Sequence, residues 1–180
     1  PPTAWTDARA MFFTNRQSYS ISSTASFTDG YAVTKYKNIT SAGQKGKDPA
    51  GDFVDTDIAL IRLGELYLNY AEAALRKNTN TGDALTYVNR LRSRAGEAPL
   101  TAARLTVDEV LNERARELYW EGFRRTDLIR YNRFVEGTYL WPFKGGVAAG
   151  TAVADFRKLY PIPANVVLAS GGVIRQNTGY

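Results

Sequence analysis

The feature of this sequence that most constrains its fold is a row of glutamates within residues 106–122. Thr106 followed by Glu109 is typical of a helix N-terminus, because each side chain can satisfy a free backbone N–H. Four glutamates recur at intervals of four residues: Glu109, Glu113, Glu117 and Glu121. Like charges at this spacing destabilise an isolated helix by about 0.2–0.5 kcal/mol per pair. The row therefore predicts that cations from elsewhere in the fold compensate it.

Arginines are the nearest candidates for those cations. Arg114 and Arg116 alternate with the glutamates, and four more arginines follow Gly122: Arg124, Arg125, Arg130 and Arg133. We interpret the stretch as a helix over 106–122, a bend at Gly122 and a second helix over 123–134. One interpretation of the acids is a pair of carboxylates for acid/base chemistry, which requires split pKa values. The other, an ion-pair lattice that fixes how helices cross, is favoured because neighbouring arginines lower carboxylate pKa values and remove the general acid.

Histidine and cysteine are both absent from the 180 residues. Their absence excludes disulfides, thiolate metal sites, cysteine nucleophiles, Ser-His-Asp triads and histidine-bound zinc. The net charge of +5 raises the question of whether the protein binds nucleic acid. However, the basic residues are interleaved with acids and form no Lys/Arg block, so no nucleic-acid partner is expected. No stretch is long and apolar enough to cross a bilayer.

Two further helices are predicted from apolar periodicity. The first covers residues 57–77, with an apolar face that includes Leu60, Leu63 and Ala71. The second covers residues 83–95, ends at Gly96 and is followed by Pro99. A short turn between them makes an antiparallel hairpin whose size and Ala and Tyr positions resemble a tetratricopeptide hairpin. Residues 106–134 are a candidate second hairpin.

The remaining segments are predicted to be loop-rich. Residues 1–56 hold many aromatics, a short strand over 31–36 and a turn-rich loop over 43–51. Residues 135–180 form an irregular tail with one helical turn over 165–170. The predicted fold is therefore mainly α, with tetratricopeptide-like helical hairpins, long irregular loops and at most minor short strands. We expect one domain over residues 1–180, made of a loop-rich segment 1–56, a helical core 57–134 and a tail 135–180.

Five motifs in this order resemble the C-terminal part of the SusD/RagB family. They are RLGELYLNYAEA (62–73), VNRLRSRAG (88–96), ERARELYWEGFR (113–124) with DL (127–128), YPIP (160–163) and QNTGY (176–180). The family consists of cell-surface nutrient-binding lipoproteins of Bacteroidetes-type bacteria. Thr178 stands where the family more often has proline. The sequence begins with Pro1 and Pro2 instead of Met, and together with this resemblance that start indicates a fragment or a processed chain.

The resemblance implies a non-catalytic protein of the outer-membrane surface. Such a protein captures a glycan or other oligomeric nutrient and passes it to a SusC-like TonB-dependent transporter. A signal peptide, a lipidated cysteine and further tetratricopeptide-like helices are expected in the family's N-terminal part, so contact with the membrane would be made through a lipid anchor outside this chain. No cofactor is implied. The alternatives are a helical interaction scaffold without its own ligand and a carboxylate-dependent glycosidase using Glu113, Glu117 or Glu121.

The residues that match the family motifs are expected to be structural. Seven of them are assigned to the inter-helix ion-pair lattice: Arg62, Glu72, Arg94, Glu113, Glu117, Glu121 and Arg124. Buried pairs of this kind specify geometry more reliably than they add stability.

Ligand contacts are expected instead in the loops, where aromatic faces can stack on the C–H faces of sugar rings. The candidates are Tyr31, Tyr36 and Trp141, which are aromatic residues in loop-like surroundings with polar neighbours, and Lys144, which is the polar neighbour of Trp141. No metal site is assigned. Calcium on the loop carboxylates Asp48, Asp52 or Asp55 is an open alternative, although their spacing is not that of an EF-hand.

Overall fold

A computed structural model describes residues 5–48 and 50–180 of the chain. The chain divides into two compact units, one up to Glu121 and the other from Gly122 onward. The single-domain organisation expected for residues 1–180 remains a prediction.

The described residues of the first unit form two strands and three helices. Strands β1 (Phe12–Phe13) and β2 (Ala32–Val33) pair antiparallel, with Phe12 opposite Val33. The helices are α1 (Leu63–Lys77), α2 (Thr81–Arg94) and α3 (Val107–Glu117), with a short 3-10 turn at Ala102–Arg104. The mainly α fold with only minor strands is therefore confirmed. The strand predicted over residues 31–36 is shortened to two residues.

The core of the first unit lies where the three helices pack against one another. Its fully or almost fully buried apolar side chains come from all three helices: Leu68, Ala71, Ala74, Ala84, Val88, Leu91, Val110 and Leu111. Small residues on α1 allow α2 to approach closely. Left-handed Asn78 and Asn80 form the turn that reverses the chain between α1 and α2. The predicted α1–α2 hairpin is confirmed.

Helix α2 ends at the glycine that the sequence indicated. Gly96 has a φ of +78°, and the N–H of Glu97 donates to the carbonyl oxygen of Arg92 at 2.9 Å. The N–H of Gly96 donates to the carbonyl oxygen of Ser93 at 3.1 Å. This arrangement is a Schellman motif, which favours glycine because the left-handed position is strained for other residues.

The start of α1 was predicted wrongly. The helix begins at Leu63, whereas residue 57 was expected, and Arg62 precedes it in an extended conformation with a φ of −140°. Ile58, Leu60 and Ile61 are 80%, 86% and 74% exposed, so the apolar run before the helix is not part of its buried face. The side chain of Arg62 instead reaches Glu117 and Glu121, and helical periodicity does not register such long-range contacts.

The end of α3 was also predicted wrongly. Thr106 caps the helix as expected, because its hydroxyl accepts the N–H of Glu109 at 3.1 Å. The last helical residue is Glu117 and not Gly122, and Trp120 adopts a left-handed φ of +62°. Residues 118–121 are therefore an irregular segment between α3 and the second unit.

The second unit has less regular structure. It contains α4 (Arg124–Arg130), α5 (Ala164–Ala169) and 3-10 turns at Lys144–Gly146 and Asp155–Lys158. Helix α4 ends earlier than residue 134, and α5 confirms the predicted helical turn. A second helical hairpin over residues 106–134 remains a prediction. Among the described residues, no helix has the length and apolar character that a membrane span requires.

Candidate functional site

The side chains of Glu113, Glu117 and Glu121 are buried against cations, most of which come from distant segments. Glu113, with 0% exposure, lies 2.6 Å from Arg9 Nη1, 3.1 Å from Arg92 Nη1 and 2.6 Å from Arg116 Nη2. Of these, Arg9 belongs to the N-terminal segment and Arg92 to α2, so the contacts join three parts of the first unit. The sequence analysis named Arg116 as a candidate but missed Arg9, which is 104 residues away in sequence.

The next two glutamates continue the lattice. Glu117 Oε1 accepts from Arg62 Nη1 and from Arg94 Nη2, each at 2.6 Å. Glu121 Oε2 accepts from Arg62 Nε at 2.6 Å, and Glu121 also pairs with Lys35. Each acid thus meets at least two cations. This arrangement is what the repulsive spacing of the glutamates requires.

A glycine on α1 makes room for this lattice. A Cβ atom added at Gly64 would lie 2.5 Å from Arg62 Nη1 and 2.9 Å from Glu117 Oε1. Both distances are far below van der Waals contact, so the absent side chain is what allows Arg62 to reach Glu117.

Two of the residues assigned to the lattice have other partners. Glu72 is buried on α1 and accepts from Arg76 Nε at 2.7 Å, one turn later on the same helix. Arg124 lies in the second unit, where its Nη2 donates to the phenol oxygen of Tyr139 at 2.7 Å. Membership of Glu72 and Arg124 in the lattice stays a prediction.

The neighbouring cations favour the ionised forms of Glu113 and Glu121. Burial opposes ionisation of Glu113, but the hydrogen bonds and charges of Arg116 and Arg9 outweigh it, so its pKa lies below the usual value. Burial likewise opposes ionisation of Glu121, and Arg62 and Lys35 lower its pKa. A general acid for glycoside hydrolysis needs a raised pKa, so neither residue is suited to that role.

Acidification is expected to destabilise the protein, beginning near the usual glutamate pKa of 4.5. Because the folded pKa values of Glu113 and Glu121 are depressed, their contribution is fully present above the unfolded pKa and is lost as the pH falls through the folded one. Urea unfolding midpoints measured between about pH 7 and pH 3 test this, and Glu113→Gln should show a shallower pH dependence. A midpoint that does not change with pH in either protein would contradict the expectation.

Two open cavities lie beside the lattice and share Tyr36 and Glu121. One has a volume of about 410 Å³ and is lined in part by lattice side chains, including Arg9, Arg62 and Glu117. The other has a volume of about 470 Å³ and is bounded by the apolar side chains of Tyr36, Val54, Ile58 and Trp120. Both volumes lie in the range of small-molecule sites in proteins. The second cavity combines aromatic walls with nearby polar groups, so it is the better candidate for ligand binding.

Trp120 is the most exposed aromatic of the apolar cavity. Its side chain is 71% exposed, and its left-handed backbone costs about 1–2 kcal/mol in a non-glycine residue. The sequence analysis missed Trp120 because it placed the residue inside a helix. The available signal was a tryptophan two residues before Gly122, at the end of a charged helix. Because strained backbone positions cluster at ligand sites, the strain at the exposed Trp120 supports a role in function.

Lys35 fixes the geometry on which Trp120 and Tyr36 depend. Its ammonium donates to the carbonyl oxygens of Glu117 at 3.1 Å and Tyr119 at 2.9 Å, and it pairs with Glu121. The ammonium also lies 4.6 Å from the centre of the Tyr119 ring. Lys35 therefore ties the chain after β2 to the chain after α3. The neighbouring Tyr36, 43% exposed, and Trp120 are held at the rim of one cavity.

Tyr31 lies in a different aromatic cluster. Its ring meets Trp5 edge-on at 6.2 Å and Tyr19 at 5.8 Å between ring centres. The structure therefore does not bring Tyr31 and Tyr36 to one cavity, and the assignment of Tyr31 to a ligand site stays a prediction.

Trp141 and Lys144 lie together in the second unit. Lys144 is only 2% exposed, and its ammonium donates to the carbonyl oxygens of Tyr139 at 2.7 Å, Arg133 at 3.4 Å and Glu136. It also lies 4.6 Å from the Trp141 ring centre. Burial lowers the pKa of Lys144, with partial opposition from the charge of Glu136. These contacts give Lys144 a structural role in holding the loop that carries Trp141, and direct ligand contact by either residue stays a prediction.

The loop carboxylates considered for calcium organise their own loop. Asp48 accepts the N–H groups of Ala50 at 3.1 Å and Phe53 at 2.8 Å, and Asp55 accepts that of Lys47 at 2.8 Å. Over residues 5–48 and 50–180, no group of three or more acidic side chains is arranged to hold a metal ion.

The fold and sequence match proteins that have been characterised. The SusD family model matches residues 10–180 of the chain. The starch-binding protein SusD of Bacteroides thetaiotaomicron is 38% identical over 178 residues, which is 97% of this chain and 31% of that protein. The chain therefore belongs to the SusD family, as its five motifs predicted. It spans about a third of the length of that relative.

Solved structures agree with this membership. A SusD superfamily protein from Bacteroides thetaiotaomicron matches with a TM-score of 0.65 and 29% identity over 96% of this chain and 37% of its own. The surface glycan-binding protein A of the same species matches with a TM-score of 0.62 and 26% identity, over 84% of this chain and 33% of its own.

Proposed function

We propose that this chain is part of a non-catalytic protein that binds glycan at the cell surface. The observation that carries the proposal is the cavity of about 470 Å³ whose rim holds Tyr36 and the exposed, strained Trp120. The names of two similar proteins, a starch-binding protein and a surface glycan-binding protein, support the same ligand class.

The physical basis of binding is aromatic stacking on a prearranged site. Trp120 and Tyr36 offer flat apolar faces to the C–H faces of sugar rings, and Lys37, Asn38 and Thr56 supply polar groups around the same cavity. The lattice and Lys35 fix the segments that carry both aromatics. Little conformational entropy is then lost on binding, which favours affinity.

Within this proposal the parent protein acts at the outer membrane, to which a lipid anchor attaches it, and passes the glycan to a SusC-like TonB-dependent transporter. Membership of the SusD family supports this placement and partner. The lowered pKa values of Glu113 and Glu121 support a role in binding without hydrolysis.

A protein-interaction scaffold without its own ligand is the second candidate. The exposed apolar side chains of Ile58, Leu60 and Ile61 favour it, because contiguous apolar surface marks contact sites for other protein segments. The titration described next distinguishes the two candidates, since a pure scaffold binds no oligosaccharide.

Replacing Trp120 with alanine is expected to weaken binding of a malto-oligosaccharide by about tenfold, which corresponds to about 1.4 kcal/mol. Isothermal titration calorimetry of the 180-residue chain measures the affinity. Phe27→Ala is the matched control, because Phe27 is similarly exposed in the same unit but lines neither cavity. Equal affinities for Trp120→Ala and the unmodified chain would remove this cavity from the proposal. An absence of binding by the unmodified chain would favour the scaffold.

A further inference from the structure

The net positive charge of the protein is concentrated in the second unit. Residues 122–180 contain eight arginines and lysines and three acidic residues, a surplus equal to the +5 of the whole chain. The first unit is balanced, with fifteen residues of each sign. The basic residues of the first unit neutralise its glutamate lattice. The excess positive charge of the second unit therefore requires a different explanation.

Arg125 shows where part of that charge is unneutralised. Its Nη2 donates to the carbonyl oxygens of Arg157 at 2.7 Å and Lys158 at 3.2 Å. Its guanidinium lies 3.9 Å from the ring centre of Tyr160 and 5.1 Å from that of Phe134. These partners are all uncharged, and no carboxylate of the described residues pairs with Arg125. The N–H groups on Nε and Nη1 remain available to an acceptor.

Arg125 lines an aromatic cavity of about 410 Å³. The other walls include Phe134, Tyr139 and Trp141. The rings of Phe134 and Tyr139 lie 6.4 Å and 6.3 Å from that of Trp141, so the three form one cluster. Because Lys144 binds three carbonyl oxygens of the adjoining loop, the cluster is held in place before any ligand arrives.

The adjoining cavity has the same character. It has a volume of about 500 Å³, shares Phe134 with the first and is lined by Arg157 on its other side. The guanidinium of Arg157 lies 5.0 Å from the Phe156 ring and 5.8 Å from the Tyr180 ring. Here again the neighbours of the cation are aromatic. The two cavities therefore offer consecutive apolar surfaces, each with a guanidinium at its edge.

We propose that these cavities form a second glycan subsite, specific for acidic sugar residues such as uronates. The sugar ring packs against Trp141, Tyr139 or Phe134, and its carboxylate accepts hydrogen bonds from Arg125. A charge-assisted hydrogen bond is stronger than a neutral one, and a cation without a counter-charge gains most from an anionic ligand. The inference rests on the proposed binding of glycan but concerns a site in the other unit.

Titration of the 180-residue chain with trigalacturonate and with its methyl ester tests the proposal, because esterification removes the negative charges and keeps the sugar rings. The acid is expected to bind at least about tenfold more tightly than the ester. Arg125→Gln should lower the affinity for the acid by about tenfold and leave that for the ester unchanged. Arg125→Lys, which keeps the charge, should retain part of the preference if the variants fold normally by circular dichroism.

Arg175→Gln is the matched control, because it removes the same charge from an exposed position of the second unit that lines neither cavity. Equal binding of acid and ester, or equal losses for Arg125→Gln and Arg175→Gln, would overturn the proposal in favour of a general charge effect or no site. The Trp120 experiment tests a separate claim. If the chain binds malto-oligosaccharide but not trigalacturonate, only the present inference is refuted. If it binds only trigalacturonate, only the Trp120 site is refuted.

Discussion

Replacing Glu117 with alanine is expected to lower the free energy of unfolding by about 3 kcal/mol. Breaking a buried ion pair by removing one partner costs about 3–5 kcal/mol, because a charge is left uncompensated. The loss for Glu117→Ala should fall at the lower end of this range, because each cation that pairs with Glu117 has an alternative partner. Arg94 is mostly exposed and can turn to water, Arg62 keeps Glu121, and Arg9 keeps Glu113 and Asp7.

Urea unfolding monitored by circular dichroism measures this loss, and Glu109→Ala provides the control. Glu109 lies two turns earlier in the same row, and its carboxylate pairs with the half-exposed Arg116 near the helix start. Partly exposed pairs contribute about 0–1 kcal/mol, so the control should change stability little. A loss for Glu117→Ala no larger than that of the control would mean that the lattice does not organise the first unit.

The row of glutamates shows how far a sequence predicts a structure of this kind. The demand for cations follows from a local spacing, and the α1–α2 hairpin and its Gly96 cap follow from patterns of a few residues. The identity of the cations, in contrast, does not follow from any local pattern. Lys35 lies 82 residues from the Glu117 carbonyl oxygen to which it donates, and no local pattern connects the two.

The same long-range contacts explain why the helix boundaries were misplaced. The carbonyl oxygen of Glu117, which would continue the helix, accepts from Arg62 Nη2 at 2.7 Å and from Lys35. Because side chains from other segments satisfy these terminal groups, α3 can end five residues before the predicted glycine. Trp120 was consequently hidden inside a predicted helix, although Tyr36 on the facing segment was identified from its aromatic character.

Lys144 shows that a residue can be found from the sequence while its role is not. A lysine beside aromatics in a loop suggests a ligand contact, and composition offers no way to foresee that three carbonyl oxygens surround it. The preorganised cluster around Trp141 depends on that burial. Sequence reasoning therefore found the aromatic residue and placed the lysine near it, but the supporting role of the lysine emerges only from the tertiary structure.

Replacing Gly150 with alanine is expected to destabilise the second unit by about 3 kcal/mol. Gly150 has a φ of +78°, and an added Cβ would lie 2.4 Å from the carbonyl oxygen of Trp141. Left-handed strain contributes about 1–2 kcal/mol, and the clash with a backbone atom that cannot rotate away adds a similar amount.

Gly146→Ala separates these two contributions. Gly146 lies in the same loop with a φ of +80°, but nothing lies within 4 Å of its added Cβ. Gly146→Ala should therefore lower the free energy of unfolding only by the cost of the left-handed strain, about 1–2 kcal/mol. Urea unfolding followed by tryptophan fluorescence measures this loss. Gly150→Ala should additionally displace Trp141 and weaken trigalacturonate binding, whereas Gly146→Ala should leave it unchanged. Equal losses of stability in the two variants would show that the loop moves aside, and the fixed position of Trp141 on which the acidic-sugar subsite depends would be disproved.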